Sequence, residues 1–194
     1  RLKAKLAKMK IGNPMDKDTD IGPMVSEKQQ KRVLDYIAIG KKEGAKLVYG
    51  GGVPKGFESG CYVEPTLFAD VNNDMRIAQE EIFGPVLAVI KAESENEAIR
   101  IANASSFGLA GGVWSRDNDR ALNVAKQLRA GTIWINEWHI LNDKAPFGGY
   151  KQSGVGRELG IEGLKAYTEV KHIHIDEVLD RKKKFWYNVT VPQD

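Results

Sequence analysis

The feature that most constrains the fold is an alternation of short apolar segments with longer amphipathic segments along the chain. Residues 85–91 form a nearly continuous apolar run, which is typical of a strand covered on both faces. Strand-like runs return at residues 109–115 and 131–136, after helical patterns of about ten to fifteen residues. Because right-handed crossovers place such helices on both faces, the sequence predicts an α/β fold with a mostly parallel sheet.

Capping residues and apolar spacing predict three helices. Ser26 and Gln29 form a capping box that begins the first helix. Ser94 and Glu97 begin the second helix in the same way, and Asp117 begins the third. The predicted inner faces are Val33, Leu34 and Ile37 in the first helix, Ala98, Ile101 and Ala102 in the second, and Ala121, Leu122, Ala125 and Leu128 in the third.

Composition limits the classes of function and partner. The formal net charge of +3 is too small to indicate nucleic acid or a membrane surface. Cys61 is the only cysteine, so no intramolecular disulfide can form and a reducing, cytoplasmic location is expected. No apolar run reaches the length of about 20 residues that a transmembrane helix needs. We therefore expect neither a nucleic-acid partner nor a membrane partner.

Five sequence blocks follow one another along the chain. They are QEEIFGP at 79–85, GTIWIN at 131–136, PFGGYKQSG at 146–154, GRELG at 156–160 and AYTEVK at 166–171. Together they resemble the aldehyde dehydrogenase superfamily, from about residue 11 to about residue 175. The resemblance implies the C-terminal part of the catalytic domain plus an oligomerisation strand. The parent enzyme would be NAD(P)-dependent and would oxidise an aldehyde to a carboxylic acid.

The resemblance implies four residues that contact the cofactor, NAD or NADP. Glu81 matches a glutamate that accepts hydrogen bonds from the hydroxyls of the nicotinamide ribose, which suits a carboxylate because it can accept from two vicinal hydroxyls. Phe83 would pack near the nicotinamide ring and hold it for hydride transfer. Gln29 and Arg32 match helix positions that reach the cofactor's outer ribose, although an exposed polar helix face explains both equally well.

The resemblance also implies an apolar aldehyde tunnel lined by Trp138, Leu141 and Phe147, which would exclude water from the hydride step. Relatives often carry a second aromatic residue at the position of Leu141, so the substrate class stays open. Glu158 matches a buried glutamate suggested to relay protons from the deacylating water. The alternative for Glu158 is an acidic residue that the dipole stabilises at the N-terminus of a helix.

The remaining catalytic groups of this family are expected upstream of the region that the chain represents. The mechanism needs a cysteine thiolate, an oxyanion hole and a glutamate base. No G-x-G-x-x-G stretch lies between a strand and a helix. Cys61 begins an extended segment, and the nearest histidine in sequence that could activate it as a nucleophile, His139, lies far away. The chain begins at Arg1 within a helix-like pattern, so we expect a segment of a larger enzyme that is inactive alone.

Two parts of the chain are expected to have different roles. Residues 1–167 would be the partial catalytic domain, which buries a face against its own upstream cofactor-binding domain. Residues 168–194 would be the oligomerisation strand and a basic, aromatic tail. The alternating segment 168–175 would join a sheet of a neighbouring subunit and form a homo-oligomer, because a lone strand leaves backbone groups unpaired.

Metal binding is the first alternative, and we expect no metal. Asp16, Asp18, Asp20 and Glu27 have the spacing of a calcium loop, but Ile21 stands where that loop needs glycine. A zinc or nickel site is the other metal alternative, since His172 and His174 point to the same side of a strand. Only one further histidine exists in the chain, so two exposed histidines at a strand edge are favoured.

A nucleic-acid-binding tail is the second alternative. Basic residues 181–184 precede the aromatic residues 185–187, a mixture that stacking platforms also use. Asp176, Glu177 and Asp180 offset the charge of the basic residues. A packing tail, whose aromatic side chains dock on the body or on another subunit, is therefore preferred.

Overall fold

The computed structural model describes residues 1–190, and its fold confirms the predicted α/β class. The helices are α1 (Leu2–Leu6), α2 (Glu27–Lys42), α3 (Arg76–Gln79), α4 (Glu95–Asn103), α5 (Asn118–Gln127), α6 (Gly160–Lys165) and α7 (Phe185–Thr190), with a 3-10 helix at Arg181–Lys183. The strands are β1 (Lys46–Tyr49), β2 (Thr66–Ala69), β3 (Val86–Ala88), β4 (Phe107–Gly108), β5 (Ala110–Val113), β6 (Thr132–Ile135) and β7 (Tyr150–Lys151).

The strands pair in three small sheets. In the first sheet, of order β1-β2-β3, β1 is antiparallel to β2 and β2 is parallel to β3. Strands β5 and β6 form a parallel pair in which Ala110 lies opposite Thr132 and Val113 lies opposite Ile135. Strand β4 pairs with β7 in antiparallel orientation. The β5-α5-β6 segment is therefore the βαβ unit that the alternation of apolar and amphipathic segments predicts.

The strand expected at residues 85–91 forms as β3, but the expectation that both of its faces are covered was wrong. Leu87 is 47% exposed and Val89 is 42% exposed. The reason is that one face, with Val86, Ala88 and Ile90, packs against the core of this region, whereas the other face, with Leu87 and Val89, is largely uncovered in the described part of the chain. An apolar run marks strand propensity, and it does not by itself show that a partner covers each face.

Helix α2 follows the prediction closely and contributes Val33, Tyr36 and Ile37 to the core of its region. The Ser26 hydroxyl accepts a hydrogen bond from the Gln29 amide at 3.2 Å, so the N-terminal cap is formed. Past the last helical turn, Gly44 has a φ of 93°, a conformation that favours glycine and ends the helix. The fully buried residues of this core are Val33, Ile37, Val63, Thr66 and Phe68.

Helices α4 and α5 begin at the predicted caps, with hydrogen bonds from Glu97 N to the Ser94 hydroxyl and from Arg120 N to the Asp117 carboxylate. The predicted inner faces were only partly right. The buried residues are Ile99 in α4 and Ala121 in α5, whereas Ala98, Ala102 and Leu122 are exposed. Burial of an isoleucine removes far more apolar area from water than burial of an alanine, so Ile99 sets the orientation of α4.

The chain divides into two compact units. Unit 1 comprises Arg1–Ile140 and Gly148–Val155, and unit 2 comprises Leu141–Phe147 and Gly156–Asp194.

The functional boundary between residues 167 and 168 stays a prediction, and residues 191–194 of the predicted tail lie outside the described residues. Residues 169–180 form neither a helix nor a paired strand. Within residues 1–190, no helix is long and apolar enough to cross a membrane.

Candidate functional site

The segment between α3 and β3 exposes two of the predicted cofactor residues. Ile82 is buried, whereas its neighbours Glu81 and Phe83 are exposed, Phe83 by 73%. None of the described side chains donates a hydrogen bond to the Glu81 carboxylate, which is therefore available to a ligand.

Gln29 and Arg32, the other two predicted cofactor residues, both contact the backbone of this segment. Gln29 Nε2 donates to the carbonyl oxygens of Ile82 at 3.1 Å and Phe83 at 2.9 Å. Arg32 Nη2 donates to the carbonyl oxygen of Glu81 at 2.8 Å. The Gln29 side chain therefore does not turn back to complete the capping box predicted with Ser26. The expected contacts of Gln29 and Arg32 with an outer ribose stay a prediction.

Glu80 differs from Glu81 because its carboxylate is fully engaged by protein groups. Arg76 donates to it through two nitrogens, at 2.7 and 2.9 Å, and the Tyr36 hydroxyl donates at 2.5 Å. The Arg76 hydrogen bonds first, and then the Tyr36 hydrogen bond, lower the pKa of Glu80 to about 2. The same contact with Glu80 is the main reason that the pKa of Tyr36 is raised.

Tyr36 also lies between two arginine side chains. The guanidinium carbon of Arg32 is 5.3 Å from the centre of the Tyr36 ring, and that of Arg76 is 5.5 Å from it. Both distances suit a cation–π interaction. Sequence reasoning missed this cluster, for which the spacing of four residues between Arg76 and Glu80 on a helical segment was the only signal.

Trp138, a predicted tunnel residue, belongs to a cluster of three tryptophans in unit 1. Its ring centre lies 5.2 Å from that of Trp134 and 6.3 Å from that of Trp114. Trp114 and the segment that carries Trp138 follow the carboxyl ends of β5 and β6, where parallel sheets commonly bind ligands. Trp138 and Trp114 are both exposed, whereas Trp134 donates from its indole nitrogen to the carbonyl oxygen of Ile140 at 2.8 Å.

Asn136 holds the end of β6 against the segment that follows β5. Its side-chain amide donates to the carbonyl oxygen of Ser115 at 2.8 Å, and its side-chain oxygen accepts from the Ser115 amide at 2.8 Å. The backbone of Asn136 has a φ of 56°, a left-handed conformation that asparagine tolerates better than most residues. This residue explains why the GTIWIN block ends in asparagine, a structural role that sequence reasoning did not identify.

In unit 2, Phe147 and Glu158 are joined through their backbones. The Phe147 amide donates to the Glu158 carbonyl at 2.7 Å, and the Glu158 amide donates to the Phe147 carbonyl at 2.8 Å. The Glu158 side chain is exposed, so the burial that the resemblance implied is absent. Glu158 also precedes α6, whose first-turn acid is Glu162. Leu141 is exposed, whereas Phe147 is half-buried.

The described residues complete neither the calcium-like loop nor the pair of histidines as a metal site. Lys10 contacts two carboxylates of the calcium-like loop, since its ammonium lies 3.3 Å from Asp18 Oδ2 and its amide donates to Asp20 at 2.8 Å. The rings of His172 and His174 lie 6.2 Å apart. Across residues 1–190, no three side chains of His, Cys, Asp or Glu come together in a way that could hold a metal ion.

Comparison with known proteins places the chain in a family. The model of the family described as "Aldehyde dehydrogenase family" matches residues 1–173. The chain therefore belongs to the aldehyde dehydrogenase family, which confirms the resemblance that its five sequence blocks carry.

Three relatives show the extent of this similarity. A betaine aldehyde dehydrogenase from Brucella melitensis biotype 2 is 49% identical over 91% of this chain and 37% of that protein. The crystal structure of a Mycobacterium tuberculosis aldehyde dehydrogenase complexed with NAD+ is 51% identical, with a TM-score of 0.82 over 84% of this chain and 34% of that chain. A Staphylococcus aureus betaine aldehyde dehydrogenase in complex with NAD+ is 46% identical, with a TM-score of 0.84 over 86% of this chain and 33% of that chain. The chain thus spans little more than a third of the length of the curated relatives it matches.

The hydrogen bonds of the Glu80 carboxylate predict how stability against urea depends on pH. Because its folded-state pKa is lowered to about 2, the stabilisation by Glu80 is fully present above the ordinary value of about 4.5 and is lost as the pH falls toward 2. We expect Glu80→Gln to unfold at a lower urea concentration than the wild type at pH 7, and the difference to shrink between about pH 4.5 and pH 2. Circular dichroism measures both transitions.

Glu93→Gln is the matched control, because Glu93 forms an exposed ion pair with Lys91 alone among the described residues. It should change the urea midpoint little at any pH. A difference between Glu80→Gln and the wild type that is the same at pH 7 and near pH 2 would contradict the assignment of a lowered pKa to Glu80.

Proposed function

We propose that the chain is the C-terminal part of the catalytic domain of an NAD-dependent aldehyde dehydrogenase, which oxidises an aldehyde to a carboxylic acid. The observation that carries the proposal is the pair Glu81 and Phe83. One is a carboxylate without a described partner and the other is an exposed aromatic ring, two residues apart on one anchored segment. Exposure of the phenyl ring is unfavourable in a protein that has no ligand for it, because the ring remains in contact with water.

The proposed chemistry divides between the cofactor and this chain. A nicotinamide cofactor, when bound, supplies the acceptor for the hydride. Glu81 accepts hydrogen bonds from the ribose hydroxyls, and Phe83 packs beside the ring, so that together they orient the reacting carbon. The two relatives that were solved in complex with NAD+ support NAD as the cofactor.

The aldehyde would meet apolar side chains. Trp138, Leu141 and Phe147 are proposed walls of the aldehyde tunnel, where apolar surroundings exclude water from the reacting carbonyl. The proton relay through Glu158 stays a prediction. Its side chain is exposed in the structure.

The test of the cofactor clamp is Glu81→Gln in the complete enzyme that contains these residues. The substitution keeps the shape of the side chain and removes the charge that strengthens hydrogen bonds from hydroxyls. Because a hydrogen bond to a charged group contributes about 1.5–3 kcal/mol, we expect kcat/KM for NAD+ to fall about tenfold to a hundredfold. Steady-state kinetics at saturating aldehyde measure the change. Glu93→Gln, which removes the same charge at an exposed position elsewhere, is the control. An unchanged kcat/KM in Glu81→Gln would contradict the role of Glu81.

The 194 residues alone are expected to show no NAD-dependent aldehyde oxidation. Their single cysteine, Cys61, is held in a structural turn, where its carbonyl oxygen accepts from the Met24 amide at 2.7 Å. The side chain of Gln30, in helix α2, donates to the carbonyl oxygens of Gly60 and Tyr62, the two residues next to Cys61 in sequence. A spectrophotometric assay of NADH formation tests this expectation. Turnover by the purified chain that disappears in Cys61→Ser would make Cys61 the nucleophile and overturn our account.

Self-association through residues 168–175 is the remaining part of the proposal, together with a cytoplasmic location. Val170, Ile173 and Ile175 are all largely exposed, Val170 by 99%, on a segment without a paired strand among the described residues. Such a segment favours pairing with a second copy. We expect light scattering to give the mass of an oligomer, and Ile173→Lys to shift it toward the monomer. A monomeric wild type at high concentration would contradict the proposal.

A further inference from the structure

Gln29 and Gln30 are adjacent residues of α2 that make the same kind of contact with different loops. Gln29 Nε2 donates to two carbonyl oxygens of the segment that carries Glu81 and Phe83, at 3.1 and 2.9 Å. Gln30 Nε2 donates to the carbonyl oxygens of Gly60 and Tyr62, at 3.1 and 2.9 Å. The two side chains therefore contribute equal numbers of hydrogen bonds at nearly equal distances.

The segment that Gln29 holds needs an external support. Phe83 has a φ of 55°, a left-handed conformation that an L-residue with a bulky side chain adopts unfavourably. Its ring is largely exposed, so side-chain packing does not compensate for this conformation. The contacts with the peptide groups must therefore supply the support.

Three consecutive carbonyl groups receive that support from one face of α2. Gln29 contacts those of Ile82 and Phe83, and Arg32 contacts that of Glu81 at 2.8 Å. A β-carbon added at Gly84 would collide with the side chain of Val33, which is fully buried. The segment consequently lies directly on α2, and its peptide planes are fixed by groups that belong to a packed helix.

We propose that Gln29 is a positioning residue, which acts on the cofactor through the backbone of residues 81–83. By fixing two successive carbonyls it holds Phe83 at its positive φ and fixes the backbone that carries Glu81. The Nε2 group of Gln29 is thereby used by protein carbonyls. The inference rests on the proposed function, because it concerns how the nicotinamide clamp is held.

The test compares Gln29→Met with Gln30→Met in the complete enzyme. Methionine has nearly the same length as glutamine and cannot donate a hydrogen bond, so both variants lose two equivalent contacts. Hydrogen exchange followed by mass spectrometry reports on peptides that contain residues 80–85 and 58–63. Steady-state kinetics give KM for NAD+ and kcat separately.

For Gln29→Met we expect faster exchange in the 80–85 peptide, a KM for NAD+ raised about tenfold, and a lower kcat. For Gln30→Met we expect faster exchange only in the 58–63 peptide, with NAD+ kinetics close to those of the wild type. Gln29→Asn keeps the donor on a shorter side chain and should fall between Gln29→Met and the wild type. A purely structural role would lower the amount of active enzyme and leave KM unchanged in both methionine variants.

The outcomes separate the two proposals. Unchanged exchange in the 80–85 peptide of Gln29→Met, or equal changes of KM in both methionine variants, would overturn the positioning role. A wild-type enzyme without NAD-dependent turnover would instead overturn the proposed function. In that case the exchange data would still decide whether Gln29 holds residues 81–83.

Discussion

The candidate site depends on hydrogen bonds that side chains of helix α2 donate to backbone carbonyl groups of loops remote in sequence. Gln29 reaches Ile82 and Phe83, whereas Gln30 reaches a second loop beside Tyr62. Carbonyl groups outside regular structure need such donors when they approach the core, because an unpaired buried carbonyl is unfavourable. Val33, Tyr36 and Ile37 lie on the same face of α2 as these donors and are buried in the core of its region, so the donors cannot move without disturbing that core. The geometry of both loops is consequently fixed by the packing of one helix.

Glu80 and Glu81 show how an extended segment separates a structural group from an available one. Glu80 follows the last residue of α3 and remains within reach of Arg76, four residues earlier. The backbone is then extended, so that Ile82 turns into the protein and Glu81 turns away from it. Two adjacent carboxylates thereby acquire opposite roles. One is held ionised by an arginine and a tyrosine, and the other accepts no hydrogen bond from a described side chain.

The three longest helices and the strands β3, β5 and β6 could be predicted from the sequence, because their signals are local. The caps at Ser26 and Ser94 and the βαβ unit around α5 were predicted from neighbouring residues alone. The contacts of Gln29 could not be, since its partners lie 53 and 54 residues away and a local capping box competes for the same side chain. The exposure of Glu158 was missed for a related reason. Its place before α6 depends on a backbone pairing with Phe147, which no short pattern encodes.

The sequence blocks that identify the family contain residues of two physical kinds. Gly131 tolerates no side chain, because an added β-carbon would collide with the carbonyl group of Gly148, and Lys151 donates to two carbonyl oxygens at 2.9 Å. These residues maintain the backbone of their blocks. Glu81 belongs to a block of the same kind, yet its carboxylate has no described partner. Membership of a block therefore does not assign a residue to the chemistry. An accessible functional group on a backbone that other residues hold in place is the stronger criterion.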